Sequence, residues 1–230
     1  MELEFGVVDF PVYPRREYHD KRWWWIAAGC VFLLWLLAAE CSAAAGWLSV
    51  KWVDDGDTIL LTDGRRVRYI GINAPEVAHA KYGRAAEPFG DRARAANQEL
   101  VYGKKIRLEW DRELKDHYGR LLAYVYLEDG RCVNQEMIAA GWAYVLYKKP
   151  NDRCDRILIE TQRRAMKAGL GIWSRWHDDG ETIVGNRRSR RFHLERCPES
   201  KKIHPKNRRR LASQWEAYWQ GYAPSKKCGP

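Results

Sequence analysis

Residues 53–76 read VDDGDTILLTDGRRVRYIGINAPE, a pattern of two strands and two turns. A β-branched and apolar run at 58–62 and an alternating run at 66–72 are typical of strands. They are separated by Asp63-Gly64, a dipeptide that favours a tight hairpin turn. The sequence therefore predicts two antiparallel neighbouring strands in this region.

The far ends of such a hairpin return to the same place. Pro75 lacks an N–H donor and restricts the residue before it, so the second strand is predicted to end here. This end carries Asp57, Asn73 and Glu76, and Arg68 lies farther along the second strand. Oxygen ligands next to an arginine indicate a hard cation and a phosphate. An ordinary hairpin with solvated charged ends is the alternative from these residues alone.

The pattern outside the hairpin predicts further short elements. The periodicity favours strands at 47–52, 104–110 and 121–127, an extended segment at 142–147, and helices at 87–102, 133–140 and 156–167. Short strands with interspersed helices are typical of a small closed barrel with helices outside it. We therefore expect a β-barrel accompanied by helices.

Two further motifs follow the hairpin. Residues 116–124 read DHYGRLLAY, and residues 171–174 read GIWS. Together with residues 55–76, and in this order, they resemble the motifs of the thermonuclease (staphylococcal nuclease) family over residues 47 to about 176. The resemblance implies the family fold, a thermonuclease-like five-stranded OB-fold barrel with three helices.

The resemblance also implies a metal site. On this basis Asp57, Asn73 and the backbone carbonyl of Ala74 hold the cofactor Ca²⁺, with other divalent cations as an alternative. The best-known members of the family have aspartate where this chain has Asn73. Asparagine keeps a neutral oxygen but loses one negative charge, so we expect weaker Ca²⁺ affinity.

Five further residues have roles implied by the resemblance. Glu76 is expected to act as the general base that activates water. Arg68 and Arg120 are expected to bind the phosphate, because a guanidinium donates two parallel hydrogen bonds and stays charged. Tyr118 and Tyr147 are expected to contact the nucleotide, and a core role is the alternative for Tyr147.

The charge of the chain favours the same partners. Its net charge of +10 suits a polyanion, either nucleic acid or an anionic membrane surface. The resemblance implies a monomeric hydrolase that cleaves DNA and RNA, as single strands or frayed duplexes, with little sequence specificity and leaves 3′-phosphates. A non-catalytic nucleic-acid-binding OB-fold protein is the rival hypothesis, although such a protein would be expected to lack Glu76 and the two arginines.

Residues 1–45 differ from the rest of the chain. Two basic residues precede an apolar run at 23–39, and Ala43 and Ala45 then fit a signal-peptidase site before Gly46. An uncleaved membrane anchor at 23–39 is the alternative. Both predictions place the barrel outside the cytoplasm, either secreted or periplasmic, or anchored in the inner membrane.

Residues 177–230 are basic and carry two cysteines. The predicted organisation is a leader at 1–45, an OB-fold nuclease domain at 46–176 and a C-terminal module at 177–230. The last part resembles the small zinc-binding module of bacterial alkylation-repair regulators, but Ser225 replaces one ligand cysteine. Zinc at Cys197 and Cys228 with His193 nearby, or a Cys197–Cys228 disulfide, are both open.

A second disulfide is possible within the nuclease domain. Cys132 and Cys154 flank a predicted helix and an extended segment and lie 22 residues apart. Closing a loop of this length would stabilise the fold by about 3 kcal/mol. The sequence alone does not show that the two thiols meet.

Overall fold

The computed structural model describes residues 46–78, 85–177 and 180–227, which belong to one compact unit, Ala45–Pro230. The predicted leader, including the apolar run at 23–39, lies outside the described residues, as does Cys228. Within the described ranges, no helix has both the length and the apolar character needed to cross a membrane.

The first strands of the chain close into a barrel. They are β1 (Leu48–Asp55), β2 (Thr58–Leu61), β3 (Arg66–Tyr69), β4 (Ile72–Asn73), β5 (Lys105–Glu109), β6 (Leu121–Leu127) and β7 (Tyr144–Val145). The barrel order is β1-β2-β3-β6-β5, with β3 and β6 parallel and the other neighbours antiparallel. In β3, Val67 and Tyr69 are buried and alternate with two arginines that point outward. The predicted five-stranded OB-type barrel is thus confirmed.

The second strand of the predicted hairpin is shorter than the sequence pattern suggested. The alternating run at 66–72 predicted one strand, but β3 ends at Tyr69 and the chain turns at Gly71, whose φ is +79°. The following two residues form β4, which pairs with β7. The extended segment predicted at 142–147 is likewise reduced to the two residues of β7. Long-range pairing with β7, which no local pattern reveals, replaces continuation of the hairpin.

Helices accompany the barrel where the periodicity predicted them. They are α1 (Gly90–Val101), α2 (Val133–Ala139) and α3 (Asp155–Lys167). Helix α1 buries Ala93, Asn97 and Val101. Asn97 anchors the helix to the barrel, because its Nδ2 donates to the carbonyl of Asp55 at 2.8 Å and its Oδ1 accepts from the Tyr69 hydroxyl at 2.8 Å.

Two glycines form a backbone contact between the loop after α2 and the short 3₁₀ turn Gly171–Trp173. The N–H of Ile172 donates to the carbonyl oxygen of Gly141 at 2.9 Å. A Cβ atom on Gly171 would lie 2.2 Å from that oxygen, and one on Gly141 would lie 2.3 Å from the carbonyl oxygen of Leu170. Only glycine fits either position, so the GIWS motif closes the fold by backbone packing.

The C-terminal segment folds into a small sheet that the sequence reading did not predict. Its elements are β8 (Ile183–Asn186), β9 (Arg191–Leu194), α4 (Pro198–Lys201), β10 (Arg208–Leu211), α5 (Gln214–Trp219) and β11 (Ala223–Pro224). The sheet order is β10-β8-β9-β11. The strands have two to four residues and carry several arginines, so the sequence pattern does not reveal them.

The hydrophobic core of the C-terminal segment continues into α3. Ala165 and Met166 of α3 and Trp173 pack with Phe192 and Tyr218 in one buried cluster. The side chain of Trp173 is 3% exposed, and its ring lies edge-on to that of Tyr218 at 5.2 Å. The segment is therefore held against α3 by apolar packing as well as by its own sheet.

The cysteines behave differently from one another. Cys197 is disulfide-bonded, and its partner lies outside the described residues, where the predicted partner Cys228 also lies. By contrast, Cys132 and Cys154 are free thiols, so the disulfide predicted between them is not formed. The two thiols precede separate helices, α2 and α3, and pack beside Tyr124. Burial raises the pKa of the Cys132 thiol.

Gln162 joins the barrel region to the C-terminal segment, and its removal should destabilise the protein. Its side chain is fully buried; Oε1 accepts from the N–H of Val145 at 2.6 Å, and Nε2 donates to the carbonyl of Tyr218 at 2.5 Å. Gln162→Ala leaves both groups without a partner and should lower the free energy of unfolding by about 2–4 kcal/mol. Urea denaturation measures this loss. The exposed Gln98→Ala is the control, and an equal loss in both variants would contradict the prediction.

Asp155 should make stability depend on pH. Burial raises its pKa to about 6, the charge of Asp152 adds to this, and its Oδ1 is buried with no hydrogen-bond partner in the structure. The folded state therefore binds a proton more tightly than the unfolded state, and the charged carboxylate is destabilising above pH 6. Asp155→Asn should stabilise the protein there by about 1 kcal/mol, after allowance for the solvated part of the side chain.

This gain should shrink as the pH is lowered from about 6 to about 4, because the wild-type carboxylate becomes protonated in the folded state. Thermal melts across this range measure it. Asp91→Asn is the matched control, since Asp91 occupies the first turn of α1 and is exposed. A gain that is constant across the pH range would show that Asp155 carries no buried charge.

Candidate active site

Arg68 lies at the centre of the candidate site. Its side chain is 12% exposed, and Nη1 donates to the carbonyl oxygens of Tyr69 at 2.8 Å and Ile72 at 2.9 Å. Its Nη2 donates to Asn73 Oδ1 at 2.9 Å and forms an ion pair with Asp57 Oδ2 at 2.9 Å. One guanidinium therefore holds the turn between β3 and β4 and joins it to the start of β2.

Asp57 is a buried carboxylate with a full set of hydrogen bonds. Its Oδ2 accepts from the N–H of Ala74 at 2.7 Å, and its Oδ1 accepts from the Thr58 hydroxyl at 3.0 Å. Burial raises the pKa of Asp57 well above its usual value, while the positive charge of Arg68 opposes this and the negative charge of Asp55 adds to it. A buried carboxylate of this kind requires a neighbouring positive charge.

Two of the three oxygens predicted to bind metal surround one atom, and the third lies beside the Asn73 amide. Arg68 Nη2 lies 2.9 Å from both Asp57 Oδ2 and Asn73 Oδ1, and the carbonyl oxygen of Ala74 lies 3.2 Å from Asn73 Nδ2. Oxygen donors of this type suit a hard cation such as Ca²⁺. Among the described residues, no group of three or more His, Cys, Asp and Glu could hold a metal ion. A site here therefore depends on amide and carbonyl oxygens beside the single carboxylate of Asp57, and a cation would have to displace the Arg68 nitrogen.

The amide of Asn73 connects the site to the C-terminal segment. Its Nδ2 donates to the hydroxyl of Tyr144, in β7, at 3.0 Å. Burial raises the pKa of Tyr144 to about 12, and the Tyr144 ring meets the Tyr218 ring edge-on at 5.3 Å. Sequence reasoning missed Tyr144, since its position depends on the long-range pairing of β4 with β7. An aspartate at position 73 could not donate to this hydroxyl.

Glu76 lies in a loop whose backbone is fixed by the start of α1. Its N–H donates to Glu87 Oε2 at 3.0 Å, and its carbonyl accepts from the N–H of Glu87 at 2.9 Å. A Cβ atom on Gly90 would lie 2.2 Å from that carbonyl oxygen. Close packing against α1 therefore sets the backbone from which the Glu76 side chain projects.

Arg120 and Tyr118 lie on the loop that enters β6. The Arg120 Nε and Nη2 atoms each lie 2.8 Å from Asp116 Oδ2, and the guanidinium stands 5.5 Å from the centre of the Tyr118 ring. Partial burial acts to raise the pKa of Asp116, but the hydrogen bonds and charge of Arg120 outweigh it and lower the pKa. Tyr118 is 70% exposed, so its ring is available to a ligand.

A cavity of about 350 Å³ unites most of the predicted residues. Its lining includes Asp57, Arg68, Asn73, Glu76, Tyr118 and Arg120. The buried Ala74 and the predicted nucleotide contact Tyr147 are not among the described residues that line it, although both neighbours of Tyr147 in sequence are. Lys148, Arg191 and Lys226 also line the cavity, and the sequence reading gave them no role there.

Comparisons with known proteins identify relatives of the chain. The family described as staphylococcal nuclease homologue matches residues 66–175. A thermonuclease of Staphylococcus intermedius is 43% identical over 130 residues, which cover 55% of this chain and 75% of that protein. The SPbeta prophage-derived endonuclease YokF of Bacillus subtilis is 38% identical over 126 residues, or 53% of this chain and 42% of that protein.

An uncharacterized endonuclease of Haemophilus influenzae is 33% identical over 150 residues, which cover 63% of this chain and 75% of that protein. The closed barrel, the order of the three motifs and the extent of these matches lead to one assignment. The chain belongs to the staphylococcal nuclease homologue family.

Proposed function

We propose that this protein is a metal-dependent nuclease that hydrolyses the phosphodiester bonds of nucleic acids. The observation that carries the proposal is the cavity in which Glu76 is brought together with Arg68 and Arg120, beside the oxygens of Asp57 and Asn73. Relatives that carry the names thermonuclease and endonuclease support the same reaction class.

The metal in this proposal is Ca²⁺, with other divalent cations as an alternative. Asp57, the Asn73 side-chain oxygen and the Ala74 carbonyl would hold it, because these donors are hard oxygens that lie close together. A divalent cation bound there would polarise a phosphate oxygen and lower the pKa of a water molecule.

The protein side chains have separate roles in the hydrolysis. Glu76 accepts a proton from the attacking water, which requires a carboxylate within reach of the phosphate. Arg68 and Arg120 donate hydrogen bonds to the phosphate oxygens, whose negative charge grows in the transition state. The guanidinium of Arg120 is held by Asp116 at 2.8 Å and is therefore oriented before the substrate arrives. Arg68, which pairs with Asp57 at 2.9 Å, would have to exchange some of its internal contacts for the phosphate.

The proposed substrate is DNA or RNA with little sequence preference, cleaved to leave 3′-phosphates. The charged groups of the cavity suit the phosphate backbone, which carries no sequence information. The exposed ring of Tyr118 beside Arg120 offers a stacking surface for a base or sugar. A single strand or a frayed duplex presents its bases to such a ring. We further propose that the protein acts as a monomer.

The proposed location is outside the cytoplasm, either after release from the leader or anchored by residues 23–39. The basic and apolar pattern of the leader supports this proposal. The disulfide of Cys197 supports it independently, because disulfides persist in oxidising compartments.

Replacing Glu76 should abolish most of the activity while preserving binding. The full chain, purified in a mild detergent, is incubated with single-stranded DNA in the presence of Ca²⁺ and then with excess chelator. Glu76→Gln should lower kcat by about 10²- to 10⁴-fold, because the amide cannot accept the proton. Glu99→Gln, an exposed change in α1, is the control. Binding without cleavage by the wild type under several divalent metals would favour the non-catalytic alternative.

Replacing Asn73 should change the affinity for the cation. Asn73→Asp adds a negative charge beside Asp57 and should tighten Ca²⁺ binding about tenfold in isothermal titration calorimetry, since the number of charged ligands helps to set Ca²⁺ affinity. Gln98→Glu adds the same charge at an exposed position of α1 and should leave the affinity unchanged. Equal affinities of Asn73→Asp and the wild type would refute a direct role for this residue in cation binding.

A further inference from the structure

The cavity extends beyond the part of the chain that the family match covers. That match ends at residue 175, yet Arg191 and Lys226 of the C-terminal segment line the same cavity as Arg68 and Glu76. The segment therefore supplies part of the wall of the candidate active site.

The small sheet fixes the backbone that carries both of these side chains. Arg191 opens β9 and pairs with Ala223 of the parallel strand β11. The N–H of Ser225 then donates to the carbonyl of Phe192 at 2.9 Å. Lys226 follows Ser225 directly, and it lines the same cavity as Arg191.

Arg191 is a half-buried cation that has no counterion among residues 46–78, 85–177 and 180–227. Among the described residues, no carboxylate forms an ion pair with it, and its guanidinium donates only to the Pro224 carbonyl, at 3.5 Å. Burial lowers the pKa of Arg191; the neighbouring Tyr144 opposes this effect, and the positive charge of Arg68 adds to it. A cation that is partly desolvated and faces another cation is costly unless an anion compensates it.

The remaining arginines of the site make a contrast. Arg68 and Arg120 are paired with carboxylates, whereas Arg191, Lys148 and Lys226 have no ion pair in the part of the chain that the structure describes. The described lining carries four carboxylates, Asp55, Asp57, Glu76 and Asp116, and five cations, Arg68, Arg120, Lys148, Arg191 and Lys226. None of these four carboxylates forms an ion pair with Arg191, so its charge is available to a second phosphate.

A purely structural role does not account for Arg191. Arg208 shows what such a role looks like in the same segment, because its Nη2 lies within 3.3 Å of three carbonyl oxygens, those of Ser200, Lys201 and Ile203. To the described part of the chain, the Arg191 guanidinium donates one hydrogen bond, at 3.5 Å to the Pro224 carbonyl. The guanidinium therefore keeps most of its donors available to a ligand in the cavity.

We propose that Arg191 and Lys226 form a second phosphate subsite, which binds a phosphate of the nucleic-acid strand next to the one that is cleaved. The inference rests on the proposed function and assigns the C-terminal segment to substrate binding. A guanidinium suits this role because it donates parallel hydrogen bonds to phosphate oxygens. Lys226, which is exposed, adds a flexible point charge at the rim.

Binding is measured first, without cleavage. The full chain in a mild detergent and excess chelator is titrated against a fluorescent oligothymidylate of about ten nucleotides at several salt concentrations. Arg191→Gln should weaken binding roughly five- to tenfold and reduce the slope of log K against log salt by about 0.7, the value for one lost phosphate contact on a single strand.

The matched control is Arg209→Gln. Arg209 is exposed on β10, at the opposite edge of the sheet from β11, and does not line the cavity. Arg209→Gln removes the same charge as Arg191→Gln and should leave the affinity and the salt slope close to those of the wild type. Equal losses in both variants would show that the segment acts only through its overall charge, and no loss for Arg191→Gln would overturn the subsite.

Two further variants separate binding from folding. Lys226→Ala alters an exposed side chain and should weaken binding about two- to threefold with an unchanged melting temperature. Arg191→Lys keeps the charge and should recover part of the affinity. If Arg191→Gln does not fold, an unchanged affinity in both of these variants would overturn the subsite.

Cleavage then distinguishes this inference from the proposed function. With Ca²⁺, Arg191→Gln should raise KM for the longer oligonucleotide about as much as it weakens binding, leave kcat nearly unchanged, and have no effect on a dinucleotide that contains one phosphate. A wild type that binds but does not cleave would refute the proposed function, while the binding data would still decide the subsite. Cleavage with identical KM values in Arg191→Gln and wild type would refute the subsite alone.

Discussion

The contacts of the Arg68 guanidinium are the interaction on which the site depends. This one group donates hydrogen bonds to two carbonyl groups of the β3–β4 turn and to the Asn73 side-chain oxygen. It also forms an ion pair with the Asp57 carboxylate. Removing it would leave Asp57 buried without a counterion and free the turn that positions Asn73. The same guanidinium is proposed to bind phosphate. Its N–H donors therefore serve both the folded structure and substrate binding. A bound cation or phosphate must therefore rearrange this network.

The site is also continuous with the C-terminal segment. Asn73 bonds to Tyr144, the Tyr144 ring packs on Tyr218, and Tyr218 belongs to the core that α3 and the small sheet share. The change in composition near residue 177 suggested a separate module, yet the hydrophobic core crosses that point. The change in composition near residue 177 thus marks the start of a more basic segment. The residues on both sides of it pack into one hydrophobic core.

The sequence was most informative where contacts are local. The hairpin pattern predicted one end that carries Asp57, Asn73 and Glu76, with Arg68 farther along the second strand, because two adjacent strands bring their ends together. All four residues line one cavity. The strand break at Gly71 and the position of Tyr144 could not be predicted, since both depend on the pairing of β4 with a distant strand of two residues. The position of Arg191 could not be predicted either, because its strand, β9, has only four residues and shows no clear hydrophobic periodicity. The predicted Cys132–Cys154 disulfide is not formed, although both thiols pack beside Tyr124. Sequence spacing alone does not determine whether two thiols form a bond.

The contact between Gly141 and Gly171 changes the meaning of the third motif. The two backbones approach so closely that any side chain would separate them, and neither glycine lines the catalytic cavity. The role of the motif is therefore to allow the close packing of the last turn of the nuclease fold. Its presence does not indicate whether a protein is catalytically active. Proteins of this fold that lose Glu76 and both arginines should retain the pair of glycines. A relative identified by that motif alone shares the fold. Whether it is an enzyme must be judged from the residues at other positions.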